Sequence, residues 1–176
     1  NKPTGEFDSG VDDSDEFLTD PSLVANLTSG EARHASSNSM EDCLLTDVAI
    51  NVGIHHFVNE GILRPGAADD PGVFPLKGDF FQDVTGIMEI DLAGTEAVVE
   101  HDQSIICGEA QLGGTLDVQI LASTPQVYEP AWGDQFELLI ATQGIIGTFD
   151  NVLLPTLESR LDWNLVYEPH SVRLEV

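Results

Sequence analysis

Residues 108–149 read GEAQLGGTLDVQILASTPQVYEPAWGDQFELLIATQGIIGTF. Apolar and polar side chains alternate over residues 115–120, which is the period of a β-strand that buries one face. Two glycines, Gly113 and Gly114, precede that strand, and a second apolar segment follows at residues 136–140. The stretch therefore predicts short β-strands separated by turns that glycine marks.

The same pattern continues through the rest of the sequence after Asp47, as in residues 87–92, where Met88, Ile90 and Leu92 face one way and Glu89 and Asp91 face the other. No apolar repeat with the 3.6-residue period of a helix interrupts it. Short strands with recurrent glycines predict an all-β fold, as a sandwich, a barrel or a parallel β-helix. A solenoid, in which each turn stacks a short strand on the previous one, suits the spacing of the glycines. Six glycines mark the predicted corners: Gly72, Gly78, Gly86, Gly94, Gly108 and Gly114.

The composition divides the chain into an acidic, weakly structured N-terminal arm, residues 1–42, and a β-rich domain, residues 43–176. Seven of the first twenty residues are acidic and Lys2 is the one base among them. Such composition is typical of an extended segment. The arm also carries apolar residues that a solvated tail does not require, and we expect them to dock on the domain or on a neighbouring molecule. They form two pairs, Phe17 with Leu18 and Leu23 with Val24.

The arm also holds a candidate calcium site. An EF-hand loop requires acids at alternate positions, a central glycine and a glutamate at the twelfth position. Counted from the first acid of the run, Gly10 falls third and Thr19 falls twelfth, so the EF-hand pattern fails. A solvated acidic run and a calcium site of another kind both remain open. The candidate ligands are Asp8, Asp12, Asp13, Asp15 and Glu16.

The charge of the chain limits its partners. Six Lys and Arg stand against 31 Asp and Glu, for a formal net charge of -25. Phosphate recognition requires clustered Lys and Arg, so we expect no binding to nucleic acid. No apolar run approaches the roughly 20 residues that span a bilayer, and we expect no membrane insertion. An acidic surface attracts cations such as Ca²⁺, which is the one cofactor that the sequence suggests.

Two cysteines, Cys43 and Cys107, lie far apart and form no CxxC motif, which excludes a zinc ribbon or a thioredoxin-type site. In an exported protein they would form a disulfide that ties the front of the domain to its middle; the alternative is two buried thiols. The sequence opens on Asn1 without Met, which fits a processed segment.

No catalytic residues can be assigned, and we expect no enzymatic activity. The sequence has no GxSxG motif and no P-loop. Adjacent histidines, His55 and His56, would point to opposite faces of a strand, so we expect one packed and one solvated side chain rather than a metal site. Two aromatic residues that flank a turn, Tyr128 and Trp132, are candidates for stacking on a glycan. Trp163 shares a predicted strand face with its apolar neighbours and is assigned to the core.

Several segments together resemble a C-terminal segment of large secreted bacterial surface proteins that carry β-helical repeats like those of autotransporter passengers. The resemblance covers about residues 57–176. It implies a right-handed β-helix that ends in a small β-cap, with an extracellular or cell-surface location in a bacterium, and it implies no catalytic residues. The matching segments are NEGILRPG (59–66), GVFPLKGDFFQ (72–82), GIMEIDLAG (86–94), HDQSIICG (101–108), LGGTLDV (112–118), GDQFELL (133–139), GTFDNV (147–152) and YEPHSVRLEV (167–176).

These observations lead to two hypotheses about function. The first is a structural protein of the cell surface, a subunit that assembles with itself through the N-terminal arm into a filament, a sheath or a surface layer. The physical route is the addition of a strand to an exposed sheet edge. The second is a binding module of a larger exported protein, either a calcium-dependent adhesin or a carbohydrate-binding domain.

Overall fold

The computed structural model describes residues 50–67, 70–122, 127–157 and 160–176. This part of the chain is all-β: it contains twelve strands and no helix, as the sequence predicts, and so no helix there is long and apolar enough to cross a membrane. The strands are β1 Ile50–Asn59, β2 Ile62–Leu63, β3 Val73–Gln82, β4 Ile87–Leu92, β5 Gln103–Ile106, β6 Glu109–Leu112, β7 Thr115–Ile120, β8 Gln135–Ala141, β9 Gly144–Gly147, β10 Asn151–Leu153, β11 Asn164–Tyr167 and β12 Ser171–Glu175.

The larger of two sheets is mixed and has eight strands. Its neighbours run in the order β11-β12-β8-β5-β3-β6-β9, and β1 pairs with β3 as well. The long strand β3 pairs with β5 through its first half and with β6 through its second half. Cys107 and Gly108, which belong to neither strand, separate β5 from β6 along the chain. All pairs are parallel except β8 with β12 and β12 with β11. β12 therefore runs against the direction of the rest of the sheet, and β11, antiparallel to β12, returns to it.

The smaller sheet is entirely parallel and has the order β10-β7-β4-β2. The chain alternates between the two sheets. Each new strand of the smaller sheet pairs with the strand that the chain placed there before. Ile62 lies opposite Ile87, Ile87 opposite Thr115, and Thr115 opposite Asn151. Each passage of the chain through both sheets, called a pass below, therefore stacks on the pass before it.

Alternating side chains of the strands form the core. In β4 the side chains of Met88, Ile90 and Leu92 are fully buried, and the residues between them are only partly so. This is the orientation that the sequence alternation predicts. β7 repeats the pattern directly beside β4 and buries Leu116 and Val118. Each such side chain contributes about 1.5–3 kcal/mol through removal from water.

Two aromatic clusters extend this core toward its ends. Phe57 of the first pass contacts Phe74 and Phe80, with ring centroids 5.3 and 6.1 Å away. Trp163, just before β11, packs edge-on against Phe136 at 5.9 Å. The prediction that Trp163 belongs to the core rather than to a ligand site is confirmed, because the side chain packs against the buried cluster.

Candidate functional site

The clearest open surface is the outer side of β10. Among the residues that the structure describes, β10 pairs only with β7, so its other side has no strand partner there. All three of its residues are exposed, and Leu153 exposes 54% of its surface. Val152 and, in the preceding strand, Ile146 are also exposed. We call the outer side of β10 with Val152 and Leu153 the β10 edge; it combines free backbone groups with apolar side chains.

The opposite end of the stack is formed by the first pass. In the described part of the chain β1 pairs only with β3, and β2 pairs only with β4. Ile54, Val58 and Ile62 expose their side chains here, and Ile54 is 97% exposed. The chain enters the described region at β1, so the N-terminal arm connects to the molecule at this end.

A bulge in β1 changes the expected position of the paired histidines. The pairing with β3 shifts register between Asn51 and His56, where Gly53 adopts a φ of 61°. The expectation that one of His55 and His56 packs and the other is solvated is wrong, because both side chains are exposed. A bulge breaks the strict alternation of faces on which that expectation depended.

The turn before β8 presents Trp132 to solvent, with 85% of its surface exposed. Asp134 fixes this turn. Its Oδ2 atom accepts a hydrogen bond from the N–H of Ala131 at 2.8 Å and another from the hydroxyl of Tyr128. Gly133 donates its N–H to the carbonyl of Val176 at 3.0 Å. The tryptophan is therefore carried by a turn whose backbone is tied to the end of the last strand.

Tyr128, the second predicted stacking residue, is placed differently from Trp132. Its ring is half-buried and packs edge-on against Phe136, with centroids 6.1 Å apart. Burial, together with the hydrogen bond to Asp134, raises the pKa of its hydroxyl. The structure therefore leaves Trp132 as the exposed aromatic face of the predicted pair.

A shallow groove of about 330 Å³ lies beside Tyr128. Its volume is at the lower end of the range for small-ligand sites. Glu129 and Thr156 supply polar groups, and the remaining lining is apolar or aromatic. These residues are Ile120, Val127, Tyr128, Pro130, Pro155 and Leu157.

A buried carboxyl group links the end of β4 to the segment just before β3. Asp102 is 1% exposed; its Oδ1 accepts the N–H of Gly72 at 2.7 Å and its Oδ2 accepts the N–H of Asp91 at 2.9 Å. Burial raises the pKa of Asp102 to about 7, against these two hydrogen bonds, which lower it; the charges of Asp91 and Asp70 raise it further. The carboxyl group therefore connects successive passes while it titrates near neutrality.

The preceding residue, His101, is also buried, and its ring lies edge-on to Phe136 at 5.5 Å. Among the described residues its two ring nitrogens have no hydrogen-bond partner with good geometry. Burial lowers its pKa, while the nearby backbone of Gly94 and Glu137 acts in the opposite direction. His101 is accordingly a neutral packing residue at neutral pH.

The candidate calcium ligands, Asp8, Asp12, Asp13, Asp15 and Glu16, and the candidate assembly residues, Phe17, Leu18, Leu23 and Val24, lie outside the described residues. Within them, no group of three or more His, Cys, Asp or Glu side chains is arranged to hold a metal ion. Cys107 is disulfide-bonded. Its predicted partner, Cys43, lies outside the described residues, so the pairing stays a prediction.

Sequence reasoning missed the role of Asp102. The signal was present in part, since a His-Asp pair directly precedes an apolar strand, and a charged residue in that position is exposed unless it is hydrogen-bonded. The backbone groups that it accepts from lie 30 and 11 residues away. No local pattern identifies such partners.

Comparison with protein-family models and with curated proteins finds no match for this chain. The resemblance to secreted bacterial surface proteins therefore remains a prediction from the residues that carry it.

Proposed function

We propose that this chain is an exported structural protein of a bacterial surface, a subunit that assembles with copies of itself into a filament, a sheath or a surface layer. The observation that carries the proposal is the β10 edge, which ends a parallel sheet, has no second strand partner in the described part of the chain and exposes apolar side chains. Open edges of this kind pair readily with further strands unless they are covered or charged. None of the three residues of β10 is charged.

For the architecture we propose a short right-handed parallel β-helix with a C-terminal β-cap, in preference to a β-sandwich. The parallel pairing of successive passes in the smaller sheet supports it, because sandwiches are built mainly from antiparallel strands. Right-handed connections between parallel strands are the rule in proteins. In this architecture the antiparallel pair of β11 and β12 would form the cap.

In the proposed assembly the N-terminal arm of one copy adds a strand to the β10 edge of the next. Backbone hydrogen bonds supply the affinity in such strand addition, and the side-chain contacts supply the specificity. Phe17, Leu18, Leu23 and Val24 of the arm would cover Val152 and Leu153. A contact between two different surfaces of identical subunits continues into an open filament unless its rotation closes a ring.

Charge opposes this assembly, because every copy carries a formal net charge of -25. The screening length is about 10 Å at 0.1 M salt and about 3 Å at 1 M. We therefore expect polymer formation to increase with ionic strength. Calcium would act at lower concentrations than a monovalent salt, because a divalent cation can bind carboxylates directly.

The test is light scattering of the full chain in calcium and then in chelator, with electron microscopy of the same samples. We expect polymers that Leu153→Lys and the deletion of residues 1–42 abolish. Ile54→Lys is the matched control, since it places the same charge on an exposed residue at the other end of the stack. A monomer under every condition, or polymers that Leu153→Lys leaves intact, would contradict the proposal.

The second candidate function is a binding module, a calcium-dependent adhesin or a carbohydrate-binding domain. The exposed indole of Trp132 on its fixed turn favours it. Binding of a monomeric preparation to a glycan array, lost in Trp132→Ala, would support this candidate over assembly.

A further inference from the structure

Trp132 is the largest apolar side chain that the described part of the chain leaves almost fully in water. Among the exposed large apolar residues only Ile54 has a higher exposed fraction. Exposed tryptophan is concentrated at interfaces, because the indole offers a large apolar area at a small cost in conformational entropy. An exposed indole on a turn whose preceding residues, 128–130, line a mostly apolar groove therefore indicates a contact surface rather than a chance surface position.

The turn that carries Trp132 is held in one conformation before any partner arrives. Asp134 accepts hydrogen bonds from the backbone of Ala131 and the hydroxyl of Tyr128, and its own N–H bonds to the carbonyl of Ala131 at 3.0 Å. The N–H of Val176 bonds to the carbonyl of Asp134 at 3.0 Å. A surface that is already ordered loses little entropy on binding.

The charge around this turn selects the class of partner. Between Lys77 and Arg160 the sequence contains 14 acidic residues and no Lys or Arg. Glu129 lines the groove and is exposed, and the charges of Glu100 and Asp134 act on Tyr128. These carboxylates would repel an anionic ligand. A cation is attracted twice, by the field of the carboxylates and by the face of the indole.

We propose that the Trp132 turn and the adjacent groove bind a basic segment of another protein, with a Lys or Arg side chain over the indole. A second copy of this chain does not fit, because it would bring 31 acids and six bases to the same surface. The groove, with Pro130, Pro155 and Leu157 in its lining, accommodates the aliphatic part of such a segment. This partner is distinct from the arm that the β10 edge would receive.

The test is isothermal titration calorimetry of the full chain with a short synthetic peptide of alternating lysine and glycine. We expect binding that Trp132→Leu weakens by about two- to fivefold, the range for a solvent-exposed cation–π contact, whereas Trp132→Tyr retains most of the affinity. Ile54→Ala, which removes an exposed apolar side chain elsewhere, should bind as the wild type does. Glu129→Gln should weaken binding more than Glu60→Gln.

Repeating the titration at about 0.5 M salt separates a local site from general attraction, because exposed charges are then screened beyond a few ångströms. We expect the difference between wild type and Trp132→Leu to persist. Equal binding by the two proteins at both salt concentrations would overturn the proposal. So would binding of an uncharged glucan oligosaccharide that depends on Trp132 while the lysine peptide does not bind. Circular dichroism of Trp132→Leu, expected to match the wild type, shows that the fold is retained.

Discussion

Gly53 and Gly114 have nearly the same backbone conformation, with φ of 61° and 60°, in very different surroundings. A Cβ atom built on Gly53, in the bulge of β1, would meet nothing within 4 Å. A Cβ atom on Gly114, at the corner before β7, would lie 2.3 Å from the carbonyl oxygen of Asp83 and 2.4 Å from that of Gly86. The two positions are equivalent in backbone geometry and opposite in packing.

The difference comes from stacking. At Gly114 the chain turns directly against the corner of the previous pass, and the next residue donates its N–H to the carbonyl of Gly86 at 2.9 Å. At Gly53 the chain forms part of the first pass, where β1 has a strand partner on one side only among the described residues. The corners of the stacked passes therefore have little room for an added side chain, whereas the bulge of β1 has much.

The largest expected effect on the free energy of unfolding comes from shortening one apolar side chain in each of these two regions. Ile90→Ala removes a fully buried side chain between stacked passes and should lower the free energy of unfolding by about 2–5 kcal/mol. Ile54→Ala removes a side chain that is already in water and should change the same quantity by less than about 0.5 kcal/mol. Urea denaturation followed by circular dichroism measures both. Similar losses in the two variants would mean that Ile54 is covered in solution.

The next effect tests the glycines directly. Gly114→Ala should cost about 2–4 kcal/mol, because a left-handed conformation costs an L-residue about 1–2 kcal/mol and the overlap with two backbone oxygens adds to it. Gly53→Ala should cost only the conformational part, about 1 kcal/mol. The same denaturation experiment compares them. If the two losses prove equal, the corner relaxes enough to accept a methyl group, and close stacking is not what fixes it.

Part of this contrast could be predicted from the sequence. The alternation at residues 87–92 and 115–120 predicted two strands and the buried faces of both. The glycines at Gly86 and Gly114 were predicted as corners. These features are local, since the strand period and the need for a residue without a Cβ atom are visible within a few positions.

The pairing of the strands could not be predicted with the same certainty, because it depends on residues about 25 to 36 positions apart, such as Ile62 with Ile87 and Thr115 with Asn151. Gly53 interrupts the alternation of residues 50–52, but no local signal shows that a single strand continues through it as a bulge. Exposure of Trp132 and half-burial of Tyr128 depend on where Phe136 lies. Each of these features depends on how the passes pack together, and no short stretch of sequence reveals it.

The third effect concerns a buried titratable group, Asp102, which lies among the stacked passes; the first pass has no buried titratable side chain among its described residues. The pKa of Asp102 is raised to about 7 by burial, above the 3.8 of an exposed carboxyl. Between these two pH values the folded state holds a proton that the unfolded state has released, so stability falls as pH rises. The contribution of Asp102 is therefore fully present below about pH 4 and is lost as pH rises through 7.

To isolate this contribution, the free energy of unfolding of the wild type is compared with that of Asp102→Asn between pH 4 and pH 8. The difference between them should shrink by roughly 2–4 kcal/mol over this range, because each unit of pKa shift corresponds to about 1.4 kcal/mol and the variant has no group to titrate at this position. His101 is present in both proteins and acts in the opposite sense, since burial lowers its pKa; its contribution largely cancels in the difference. Glu60→Gln, which removes an exposed carboxyl group from the first pass, should show no comparable change. A difference that grows with pH would mean that the N–H groups of Gly72 and Asp91 stabilise the ionised carboxylate more than burial destabilises it.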